Sequence, residues 1–183
     1  MTHPYFQPFL IASLVVILPC SVMAQRQTQD GQLQPIWGAA SNGVCAGIGV
    51  KPSDWPTHTN DYYCDISVRD MSTNRLYVWL PPLEQRYEIE LWGPDGRRIN
   101  QLKSLSLSQR HPLGLIPFSK EGASLDWCLL KDTFDLRTNG LHTLIVSVRV
   151  NVFTNTDFGD SYMRRQPVYF FLPPVTNTFN VAP

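Results

Sequence analysis

The chain has no surplus of charge: Lys plus Arg and Asp plus Glu each number 15. Proteins that hold nucleic acid or anionic membranes carry a basic excess, so the balance argues against both classes of partner. Histidine is scarce, at 4 residues, and none stands in an HExxH or comparable pair, so the usual sequence signature of a catalytic metal is missing. There is no GxSxG elbow, no glycine-rich phosphate loop, and no cysteine placed near a histidine in a known nucleophile signature. No cofactor is expected. The 4 cysteines form no CxxC, which argues against a dithiol redox motif and against a zinc knuckle. No stretch shows a helical period, and beyond the N-terminus no apolar run is long enough to span a bilayer.

What is present suits one domain with a real core: 183 residues, 43% of them hydrophobic. The first 24 residues read as a secretory signal. Phe9 to Leu18 is an apolar run too short to cross a membrane as a helix, Pro19 breaks it, and Val22-Met23-Ala24 suits cleavage before Gln25. Two alternatives stay open. Cys20 could be acylated, although Pro19 stands where a small residue is needed, and the n-region, with only His3, could leave the segment uncleaved as an anchor. Cleavage leaves Cys45, Cys64 and Cys128 in an oxidising compartment, an odd set that permits one disulfide and one leftover thiol.

Residues 25–42 are rich in Gln, Gly, Ser and Asn and predict a loose arm, with Ile36 and Trp37 its sizeable apolar groups. From Val44 the pattern has period two, the mark of strands with one buried face. Val44, Ala46, Ile48 and Val50 form one such set, and Cys64, Ile66 and Val68 another. Leu76 to Leu80 makes a short strand before Pro81-Pro82, and Tyr87, Ile89 and Leu91 alternate with Glu88, Glu90 and Trp92 ahead of a Gly93-Pro94-Asp95-Gly96 turn. Residues 100–126 read as a connection with one or two short strands, and Trp127 to Leu130 as buried. After Asn139-Gly140, Leu144, Val146, Val148, Val150 and Val152 define a long central strand, and Val168 to Leu172 predicts a last strand closed by Pro173-Pro174. The expected domains are a signal over 1–24, an arm over 25–42, an all-β sandwich over 43–174 and a tail over 175–183.

Phe134-Asp135-Leu136 followed by Asn139-Gly140-Leu141-His142-Thr143-Leu144 resembles the approach to the penultimate strand of exported bacterial immunoglobulin-like and fibronectin type III-like modules. The resemblance implies an antiparallel sandwich of about 7–9 strands and attaches no activity to it. Two departures stand out. His142 occupies the place where such modules carry a corner tyrosine bonded to the backbone, and Leu144 stands where an antibody-type domain has its second cysteine. In such a sandwich the first two strands run side by side, which implies a Cys45–Cys64 disulfide with Cys128 a buried thiol. Against the pairing, Cys45 falls in the alternation class opposite to Val44 and Ala46, whereas Cys64 shares the class of Ile66 and Val68.

Candidate chemistry is thin. Glu88 and Glu90 pair on one strand face beside Trp92, the ordinary solvated side of a sheet. The loop from Lys51 to Tyr63 gathers Trp55, His58, Asn60, Asp61, Tyr62 and Tyr63, a mixture that suits a contact surface or, equally, a cap over the end of the sandwich. Asp157 and Asp160, near Asn155 and Arg164-Arg165, lack calcium-loop spacing and read as a polar loop. The expectation is a non-enzymatic exported module for protein interaction or envelope structure, its partner a protein or glycan in the envelope or outside the cell, with Trp55, Asp61, Tyr62, Tyr63 and Trp92 as contact residues. The alternatives are a carbohydrate-binding or enzyme-accessory module, which needs exposed aromatic faces, and a small hydrolase, which needs His58, His111 or His142 to meet a carboxylate or Cys128 in a cleft.

Overall fold

The computed structural model describes residues 34–54, 57, 61–73, 76–103, 108–109, 115–117, 119–154 and 168–182. The expected signal, Trp55, His58, His111 and the Asp157–Arg165 loop lie outside the described residues. In chain order the elements are β1 (Ile36–Trp37), β2 (Val44–Pro52), β3 (Tyr62–Asp70), β4 (Leu76–Trp79), β5 (Tyr87–Trp92), β6 (Arg98–Ile99), β7 (Ser108–Gln109), β8 (Leu115–Pro117), β9 (Ala123–Leu129), α1 (Leu130–Thr133), β10 (Gly140–Thr154), β11 (Phe170–Phe171) and β12 (Val175–Val181). They form an all-β antiparallel sandwich. One sheet has the order β1-β2-β3-β9-β7, and the other runs β6-β5-β10-β4-β8 with β11 and β12 also on β10.

The period-two residues point where their alternation places them. Val44, Ala46, Ile48, Cys64, Ile66 and Val68 from the first sheet meet Ile89, Leu91, Leu144, Val146, Val148 and Val150 from the second, all buried in one core. Each such aliphatic side chain contributes about 1.5–3 kcal/mol relative to exposure. The spine is β10, 15 residues long, rich in β-branched side chains that suit a pleated, half-buried surface. It pairs β12 along Gly140–Val146, β5 along Thr143–Val148 and β4 along Asn151–Thr154.

Between β4 and β5 the chain leaves the ladder, because Pro81 and Pro82 have no N–H to donate. It rejoins β10 after skipping only Arg149 and Val150 in register. Arg86 closes this detour, with its carbonyl accepting from the Arg149 N–H at 2.7 Å. The β5–β6 turn follows the expected chemistry: the Gly93 N–H donates to the Arg97 carbonyl at 2.8 Å, the Asp95 carboxylate accepts from the Arg97 N–H at 3.0 Å, and Gly96 takes a φ of +72°.

Four expectations need correction. Residues 175–183 are not simply a tail. Val175, Asn177, Phe179 and Val181 alternate inward along β12, and the Asn177 side-chain amide donates to the Ile48 carbonyl of the facing sheet. Pro173-Pro174 interrupts the edge without ending it, and only Phe170–Phe171 of the expected last strand pairs with β10. The arm is ordered at its end: β1 pairs β2, and the Trp37 ring lies over Gly47 and Gly122, where a Cβ would sit 2.5–2.6 Å from ring carbons.

The Cys45–Cys64 disulfide is excluded by register. Cys45 pairs with Arg69 and Cys64 with Val50, so five β3 steps, roughly 16 Å, separate Cys64 from the position facing Cys45. The two also occupy opposite faces. Cys45 lies under Arg69, whose Nε donates to its sulfur at 3.3 Å, while Cys64 is in the core. All three described cysteines are free thiols.

Candidate functional site

The end of the sandwich near the Lys51–Tyr63 loop is built from residues the sequence marks as contacts. Asp61 is 2% exposed, and its Oδ1 accepts from the N–H of Tyr62 at 2.6 Å and of Lys131 at 2.9 Å, tying the start of β3 to α1. The Tyr62 hydroxyl donates to the Asn180 carbonyl at 2.7 Å and accepts from the Ala182 N–H at 3.2 Å. It thereby clasps β3 of one sheet to the end of β12 in the other. The Tyr62 ring packs on Phe179 at 4.9 Å, and Phe179 stacks on His142 at 5.8 Å. Buried groups bonded in this way to backbone hold the scaffold.

His142 is fully buried, with Nδ1 at 3.0 Å from the Gly140 carbonyl, so an imidazole bonds to nearby backbone at this corner. Its Nε2 has no partner among the described residues. Tyr63 is half-buried and stacks on Trp127 at 5.3 Å, so each ring covers a face of the other.

A group absent from the expected contacts links the two sheets. Asp126, on β9, is completely buried, and its Oδ2 accepts from Arg86 Nη1 at 2.7 Å and from the Tyr87 hydroxyl in a short bond. The Arg86 Nε and Nη2 both donate to the Pro81 carbonyl at 3.2 Å. Burial, and then the Asp126 charge, push the Tyr87 phenol well above its ordinary pKa. Asp126 faces inward two residues from Cys128, in the same unbroken register that sets Cys128 opposite Cys64 and Asp126 opposite Ile66. The tie joins elements of the two sheets and is buried throughout, so it holds the scaffold, although the Asp126 Oδ1 has no hydrogen-bond partner among the described residues.

The solvent side of β5 is organised differently. Glu88, Glu90 and Trp92 share a face, opposite Ser147, Ile145 and Thr143 of β10, and beyond these lie Thr176 and Thr178 of β12. Alongside β5 runs a groove of about 530 Å³, lined by Leu83, Glu84, Glu88, Glu90, Arg98 and Gln101 as well as Tyr87 and Ile89. Glu90 pairs with Arg98 at 3.3 Å. Strand β6 covers only Leu91 and Trp92, so among the described residues the Tyr87–Glu90 edge has no strand beside it on the side away from β10. The Ile89 carbonyl on that edge is capped by the Gln101 side-chain amide at 3.3 Å.

Of the expected contacts among the described residues, Trp92 alone stands beside this groove, through its cross-strand partner Arg98. Asp61, Tyr62 and Tyr63 belong elsewhere. Glu84 and Gln101 were legible only as loop polars, because nothing local says that a 3-10 turn and a connection will flank β5. Among the described residues no three His, Cys, Asp or Glu converge as a metal site, and no described helix is long and apolar enough to cross a membrane. No protein family model, curated protein or solved structure matches the chain.

Proposed function

We propose that this chain is an exported, non-catalytic β-sandwich that binds a partner protein along the edge of β5, taking up an extended basic segment of it. The observation that carries the reading is the groove: three carboxylates, Glu84, Glu88 and Glu90, against the single guanidinium of Arg98, beside a stretch of strand edge. An unpaired edge offers N–H and C=O groups to a further strand, and flanking side chains select its sequence. The Gln101 amide is a side-chain stand-in that an incoming backbone N–H can replace at the Ile89 carbonyl. Export rests on the Phe9–Leu18 run and the Ala24 cleavage pattern, and it places the partner in the envelope or outside the cell.

Selection of a displayed library of extended peptides on the full-length chain tests the binding. The expected binders carry Lys or Arg at alternate positions, weaken as salt rises, protect the Tyr87–Glu90 amides from exchange, and lose at least about tenfold in affinity to a Glu84→Lys/Glu88→Lys variant. Binders that are neutral or acidic, or that protect another surface, overturn the reading. Binding on a glycan array without any peptide selected replaces it with the carbohydrate-binding alternative. Export is tested separately by the intact mass of the secreted protein: a start at Gln25, or its pyroglutamate, supports it, and an acylated Cys20 start corrects the mode of export.

A further inference from the structure

Cys64 and Cys128 are Cα partners in the β3–β9 ladder, side by side on the inner face of the first sheet. Directly opposed residues of antiparallel strands have Cα atoms about 4.5–5.5 Å apart, inside the roughly 4.4–6.8 Å that a disulfide spans. Both side chains are 0% exposed. Cys45 is removed from them by register and by face. Of the three described cysteines, then, two are placed for bonding and one is not. We propose that Cys64 and Cys128 are a disulfide site, oxidised when the chain folds in a compartment that supplies a disulfide donor.

The reaction is thiol–disulfide exchange. One cysteine thiolate attacks the donor's disulfide and releases the first donor thiol. The second cysteine then attacks the mixed disulfide and releases the other. The protein loses two protons and two electrons and gains one S–S bond, while the donor disulfide is reduced to two thiols. Timing follows from the surroundings. In the folded dithiol, the Cys128 thiol beside it and burial hold the Cys64 thiol well above its ordinary pKa, and neither sulfur reaches solvent. Thiolate and access are both needed for exchange. The bond therefore forms as β3 docks against β9, and chain already folded in the reduced state oxidises slowly.

The test uses the full-length chain with Cys45→Ser, unfolded, reduced, and refolded in a mixture of oxidised and reduced glutathione, then alkylated under denaturing conditions. The expected product is about 2 Da lighter than its reduced form before alkylation, and digestion links the peptide holding Cys64 to the one holding Cys128. Chain folded first in reductant and then exposed to the same mixture should gain the link at least about tenfold more slowly. In the wild-type chain, reduction should lower the melting temperature by roughly 10 °C, and a Cys64→Ala/Cys128→Ala variant should show no redox dependence. Free Cys64 and Cys128 after oxidative refolding, or a link from either to Cys20, overturns the proposal. The mass measurement decides it even if the double variant fails to fold, and none of these readouts depends on peptide binding.

Discussion

Tyr87 and Glu88 are neighbours on β5, and their side chains enter two different regions. Tyr87 points inward to Asp126 and Arg86, where every group is buried and the charges are committed to one another. Glu88 points outward to a groove where Glu84 also stands and where, among the described residues, only Glu90 has a cationic partner. The same carboxylate chemistry is scaffold in one place and available charge in the other. Two terms decide which: the cost of removing an ion from water, and whether a partner is built in to offset it.

The sharpest way to break this contrast is to remove one member of the interior tie. Arg86→Ala should cost about 3–5 kcal/mol in chemical denaturation, because Asp126 is left buried without its cation. A concerted replacement, Arg86→Met with Tyr87→Phe and Asp126→Leu, should recover most of that loss. If Arg86→Ala alone proves nearly neutral, the tie is not buried as described. Next comes the corner. His142→Ala should lose about 2 kcal/mol through the bond to the Gly140 carbonyl and the packing on Phe179, read by thermal melts.

Tyr87→Phe should cost about 1.5–2 kcal/mol near neutral pH, the value of a hydrogen bond to a charged acceptor. Its pH dependence is more telling. The folded phenol pKa is raised, so unfolded chain loses this proton near its ordinary value of 10.0 while folded chain keeps it. The contribution is complete below that pH and falls as pH rises above it. Wild type and Tyr87→Phe should therefore converge in stability on the alkaline side of 10.0. At the weak end, Glu88→Lys should change stability by no more than about 0.5 kcal/mol while weakening the binding of basic peptides. A large loss of stability from that change would show the groove to be scaffold as well.

The strands were legible wherever alternation is long and unmixed. β2, β5 and β10 follow the pattern because each has one face in the core, and Gly93-Pro94-Asp95-Gly96 could only turn. β12 was not legible as a core strand. Its inward set includes Asn177, a polar residue made acceptable by the Ile48 carbonyl, and it follows a Pro-Pro pair that reads as a stop. Asp61 and Tyr62 carried the composition of a contact loop, yet their distant backbone partners come from α1, from Asn180 near the end of β12 and from Ala182 just after it, far along the sequence. Their real role depends on where those distant segments arrive.

By itself the sequence determined the class of fold and the faces of its long strands, since a period of two can bury one face only if the chain is extended. It also determined the N-terminal apolar run on which export is argued. Tertiary structure decided what depends on register between distant segments: that Asp126 of β9 meets Arg86, that Cys64 meets Cys128 and not Cys45, and that Glu84 joins Glu88 and Glu90 along one edge. A one-residue slip moves every side chain of a strand to the opposite face, and local composition sets no register between strands separated by dozens of residues.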